Sequence, residues 1–127
     1  MGLFYITEDL SGDPAGDHHE LVVLVAGGEL DFHASPRLRE SIAEHIRAGA
    51  RHIVLDLSSV TFIDSTAIGV LVGAATRLQE AGGGSVAAVC SDENERVLRI
   101  FDIAGVDSVI TLYSSREQAF SATATVA

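Results

Sequence analysis

Polar and apolar positions change their spacing repeatedly along the chain, and each change marks an element. Leu3 to Thr7 is a short stretch of β-formers, followed by a polar, glycine-bearing link over 11–17. Residues 20–26 form a continuous apolar strand that stops at Gly27-Gly28, and the two strands can pair as a hairpin. The period then lengthens. Leu38, Ile42 and Ile46 recur every four residues behind Ser35 as N-cap and Pro36 as the first helical residue, with Gly49 closing the helix. His52 to Leu57 is an apolar run of the kind buried in the middle of a sheet. A second helix spans Ser65 to Ala81 and ends at three glycines, and Ser85 to Cys90 is another buried strand. A third helix starts near Asp92 behind Ser91, turns Val97, Ile100, Phe101 and Ala104 inward, and ends at Gly105. Val109 to Leu112 reads as a short edge strand and Ser115 to Thr123 as a last helix. The alternation predicts an α/β fold: a single mixed β-sheet of four to five strands with helices packed on it. No linker or repeat divides the chain, so residues 1–127 are expected to be one domain.

Composition narrows the functional classes. With 47% apolar residues the chain has the material for a core, so global disorder is excluded. Eighteen acidic residues against eight basic ones give a formal charge of −10, which repels phosphate backbones and anionic lipid heads; no direct nucleic-acid or membrane partner is expected. The first residues lack a signal peptide, Ile6 breaks the myristoylation pattern, and no apolar run reaches membrane-spanning length. Cys90 is the sole cysteine, so no intrachain disulfide can form, which fits a reducing, cytoplasmic setting; Cys90 itself reads as a small apolar strand residue.

Catalytic signatures are missing. There is no phosphate-binding glycine loop and no nucleophile elbow around Ser65, so no enzyme activity and no cofactor are expected. Asp17, His18 and His19 sit together in the polar link, where adjacent side chains diverge, and read as solvated rather than as a metal site. His33, His45 and His52 show no ligand spacing.

The most informative stretch is residues 60–73, which read as strand, short loop and helix start. Asp64 has the position and chemistry of an N-cap, and Ser65 and Thr66 follow in the first turn, where the helix dipole tolerates an added phosphate. Ile68, Leu71, Ala75 and Leu78 define the face toward the sheet; Thr66, Gly69, Val70, Gly73 and Arg77 define the opposite one. Each interior glycine costs about 1 kcal/mol of helix propensity against alanine. Two readings of Gly69 and Gly73 stay open on spacing alone: close packing within the domain, or close approach by a partner.

Residues 62–69, Phe-Ile-Asp-Ser-Thr-Ala-Ile-Gly, resemble the phosphorylation-site motif of STAS-domain anti-sigma factor antagonists. Gly28-Glu29-Leu30-Asp31 is similar to the turn after the family's second strand, and residues 99–106 to its third helix and exit; with His52 to Asp56 the likeness covers Leu21 to Phe120, a core of about 20–120. Ala67 stands where the family commonly has glycine, and Thr66 where it has a second serine. The resemblance implies a STAS fold and a partner that is both anti-sigma factor and serine kinase, of histidine-kinase-like ATPase fold. Binding frees a sigma factor; phosphorylation of Ser65, with Thr66 as rival acceptor, ends binding; and a serine phosphatase restores it. Asp31 matches a family position close to the serine. The expected partner surface is therefore Asp31, Asp64, Ser65, Thr66, Gly69, Val70 and Gly73. The alternative is a non-switching STAS scaffold, or an accessory subunit of a stress-signalling or lipid-transport assembly.

Overall fold

The computed structural model describes residues 3–9 and 20–125; the Asp17-His18-His19 stretch lies outside them. Nine elements follow one another: β1 (Phe4–Glu8), β2 (Leu21–Leu30), α1 (Ser35–Arg47), β3 (His52–Ile63), α2 (Ser65–Gly82), β4 (Ser85–Val89), α3 (Glu95–Ala104), β5 (Thr111–Tyr113) and α4 (Arg116–Thr125). The strands form one sheet in the order β1-β2-β3-β4-β5, with β1 antiparallel to β2 and the other pairs parallel. This is the mixed five-stranded α/β sheet that the alternation predicts.

Strand pleating sorts the core into two. Val22, Leu24, Ile53, Leu55, Val86 and Ala88 point one way and pack with α1, α2 and α3. Val23, Val54 and Val89, between them in sequence, point the other way and meet Ala119 and Phe120 of α4. Leu24, Leu55, Leu57 and Leu71 are fully buried, each contributing about 1.5–3 kcal/mol relative to exposure.

Several boundaries move for identifiable reasons. β2 does not stop at Gly27-Gly28 but runs on to Leu30. A Cβ on Gly27 would fall 2.3 Å from the Tyr5 ring, and one on Gly28, at φ +80°, would fall 2.0 Å from the Leu3 carbonyl oxygen. The glycines let β1 lie close against β2 instead of ending it. β3 likewise continues to Ile63, carrying the exposed Ser58, Ser59 and Thr61 alongside the end of β2 across two register shifts. Ser35 is not the N-cap of α1. Ala34 holds that position without a side-chain cap, because Asp31 does the capping: its Oδ1 accepts from the amides of His33 (2.9 Å) and Ala34 (3.2 Å). α3 starts at Glu95 under Asn94, whose Oδ1 accepts from the Val97 amide and whose Nδ2 donates to the Val60 carbonyl, while Ser91 caps only the preceding turn. Ala104, expected inward, is exposed on the last turn before the left-handed Gly105; Val97 and Phe101 are buried as expected. β5 begins two residues later than Val109, because 106–110 closes a turn in which the Val109 and Ile110 amides bond to the Val106 carbonyl.

Candidate functional site

The candidate site forms where β2 and β3 leave the sheet together. Leu30 pairs with Ile63, and the Asp64 amide donates to the Leu30 carbonyl at 3.2 Å. Asp31 and Asp64 therefore follow paired residues at one end of the sheet, and each caps the turn that opens its helix. Asp64 has an extended backbone, and its Oδ1 accepts from the Ala67 amide at 3.1 Å, the N-cap role expected of it.

The same Asp64 oxygen separates the two candidate acceptors. Thr66 donates its hydroxyl to Asp64 Oδ1 at 2.5 Å. Ser65 is exposed, and among the described residues its hydroxyl has no hydrogen-bond partner. One hydroxyl is occupied as part of the cap; the other is open to solvent on the first turn.

Along α2, Ala67, Ile68, Leu71, Ala75 and Leu78 are buried as the spacing requires. Gly69 and Gly73 are exposed, and a Cβ at either would meet nothing within 4 Å. The close-packing reading of these glycines is thereby removed. They border a groove of 230 Å³ between α1 and α2, shared with Ile42, Ala43 and Ile46 and carrying Arg39 and Arg77. Val70 belongs to the same groove but is only 7% exposed and packs with the main core, because α1 lies alongside that flank of the helix. It contributes floor rather than a free side chain.

Aromatic residues at this end escaped the sequence reading. Phe32, 62% exposed, follows Asp31 and stacks on His33 with ring centroids 4.0 Å apart. Phe62, 40% exposed, pairs with Glu29 two residues before Asp64, and the half-exposed Tyr5 lies over Gly27. The signal for Phe32 was its place just after a turn-capping aspartate; Phe62 gave none, since an apolar residue near a strand end reads as core.

Residues 15–119 match the STAS domain family. Over 107 residues the chain is 36% identical to the anti-sigma F factor antagonist of Paenibacillus polymyxa, an alignment covering 83% of this chain and 89% of that one. The chain belongs to the STAS-domain anti-sigma factor antagonists. It is also 29% identical over 109 residues to the anti-sigma-B factor antagonist of Bacillus subtilis, covering 86% of this chain and 95% of that one. Among solved structures, the anti-sigma factor antagonist SpoIIAA in its unphosphorylated form superposes with a TM-score of 0.74 at 22% identity, covering 97% of this chain and 99% of that one. Its phosphorylated form, from Bacillus, gives 0.64 at 21% identity, covering 94% and 99%. At those identities the likeness speaks to fold.

Within this STAS domain two of the three family-like stretches meet: 28–31 ends β2, and 62–69 ends β3 and opens α2. The third, 99–106, lies on α3 and its exit, on a helix that packs against β3 and α2 but carries none of the Ser65 turn. Among the described residues no group of three or more His, Cys, Asp or Glu side chains has metal-binding proximity, and no helix is long and apolar enough to cross a membrane.

Proposed function

We propose that this STAS domain binds a serine-kinase anti-sigma factor of histidine-kinase-like ATPase fold, so releasing a sigma factor, and that phosphate on Ser65 ends the binding until a serine phosphatase removes it. The observation that carries this reading is the free Ser65 hydroxyl beside the occupied Thr66 hydroxyl. A kinase needs an accessible nucleophilic oxygen, and phosphorylating Thr66 would first break a cap bond. The relatives' names, antagonists of anti-sigma factors, support the partner class.

The charge argument gives the direction of the switch. A phosphoserine brings about −1.5 to −2 charges. At the N-terminal turn of α2 the free amides and dipole tolerate it, so the fold survives. For a docked partner the same charge, next to Asp64 and near Asp31, means desolvating an anion cluster or placing an acidic surface against it. The docking surface comprises Asp31, Phe32, Asp64, Ser65 and Thr66 at the top, continuing down the groove past Gly69, Val70 and Gly73. Gly69 and Gly73 give up helix propensity without any packing gain inside the domain, which is what a surface kept flat for a partner would show.

The test is a binding series with the anti-sigma factor kinase of the same organism. Ser65→Ala should bind like the unmodified protein and persist in complex with ATP present, whereas Ser65→Asp should bind at least tenfold more weakly. Equal affinity of the Asp variant would remove the switch and leave the scaffold or transport-subunit reading.

A further inference from the structure

A second concave surface lies at the other end of the sheet. β3 and β5 run in the same direction through β4, and Ser65 follows the end of β3, whereas this pocket forms where the chain enters β5. It has a volume of 280 Å³ and lies between α3 and β5, walled by Leu98, Phe101, Val106, Ile110 and Leu112. Phe101 and Ile110 make a buried floor, at 6% and 1% exposure. Asp102 and Asp107 are the polar lining, and both are exposed. Among the described residues neither carboxylate has an ion pair or a side-chain hydrogen bond, and no basic residue lines the pocket. Next in sequence to lining residues, Ile103 is 73% exposed and Val109 39%.

We infer that this pocket is a second docking point, which takes an apolar side chain presented between basic residues on a partner protein's peptide segment. Its modest volume over a buried apolar floor suits a side-chain anchor. An apolar anchor in a desolvated pocket with a charged rim is the usual form of a binding hot spot. The charge selects the occupant. Two unpaired carboxylates at the mouth, on a chain of net charge −10, attract arginine or lysine and repel acidic segments. Exposed charges separated by more than the Debye length, about 10 Å at 0.1 M salt, are largely screened. Phosphate at the far end of the sheet therefore leaves this contact in place. A segment held here stays bound whether or not Ser65 carries phosphate.

The experiment titrates the ¹⁵N-labelled full chain with two nine-residue peptides. One has a central Leu-Phe flanked by two arginines on each side; its twin carries glutamates instead. The expected result is saturable shifts of the Phe101, Val106, Ile110 and Leu112 amides with the arginine peptide and at least tenfold weaker binding of the twin. The double variant Asp102→Asn, Asp107→Asn should weaken the arginine peptide at least fivefold with the remaining amide spectrum unchanged, and Ser65→Asp should leave its affinity unaltered. Absent or non-saturable shifts, equal binding of the two peptides, shifts centred elsewhere, or loss of binding in Ser65→Asp would each overturn the inference. Because the readout is the α3–β5 pocket, it stands or falls apart from the kinase switch.

Discussion

Two aspartates on and just beyond β3 lead opposite lives. Asp56, on the face under α4, is saturated: its Oδ1 accepts from the Ser58 amide and hydroxyl at 2.9 and 2.6 Å, and its Oδ2 from Arg116 Nε at 2.7 Å. Arg116 also donates to Asp9 Oδ2 at 2.7 Å, so one guanidinium clasps α4 to the middle of the sheet and to the residue just past β1. Burial pushes the Asp56 pKa up, but the Ser58 and Arg116 hydrogen bonds and the Arg116 charge outweigh it, and the net displacement is downward. Asp64 caps a helix at the surface and leaves the next residue's hydroxyl unclaimed. Where polar groups are matched and covered, they hold the fold; where one is left open beside glycine-lined space, the molecule keeps a surface for something else.

The contrast breaks most sharply at Gly73. Gly73→Leu should keep or modestly raise the thermal midpoint of the free domain, since its Cβ meets nothing and leucine favours helix, yet weaken anti-sigma factor binding on the order of a hundredfold, about 2.7 kcal/mol. An unfolded variant would show that the glycine serves the core. Arg116→Ala should do the reverse. It leaves the Asp56 carboxylate part-buried with one partner fewer, and urea denaturation should register a loss of about 2 kcal/mol, while binding by the folded fraction stays the same. Gly69→Ala should raise stability by about 0.5–1 kcal/mol in the same assay, as expected for an exposed helical glycine with room for a methyl group. The smallest effect concerns acid. The folded pKa of Asp56 is lowered, so its contribution to stability is present above the unfolded pKa of about 3.9 and is lost as pH falls through that value toward the folded one. Arg116→Ala should flatten this acid-side slope; an unchanged slope would mean that the clasp does not hold the Asp56 charge.

What the sequence revealed followed the range of the interactions involved. The Asp64 cap, the α2 stripe and the sheet's α/β character depend on neighbours within a few residues, and they were legible. The continuation of β2 was not, because Gly27 and Gly28 read as breakers until Tyr5 and Leu3 are seen lying against them. Asp31 as the capping residue of α1 was hidden by the better-looking Ser35. The Arg116 clasp joins residues 60 and 107 positions apart, a separation that no local pattern reports. At the candidate site the sequence named Ser65 and both glycines. The sequence already ranked Ser65 above its rival Thr66; the geometry added that the Thr66 hydroxyl is bonded, that open space lies beside the glycines, and that Phe32 and Phe62 are exposed nearby.

The most direct measurement is intact-mass analysis of the protein purified from its own cells across growth and stress conditions, with peptide mapping of residues 65 and 66. The account predicts a single phosphate on Ser65, and none on Thr66, in a fraction of the molecules that changes with condition. A protein that stays unmodified throughout, or carries its phosphate on Thr66, would contradict it.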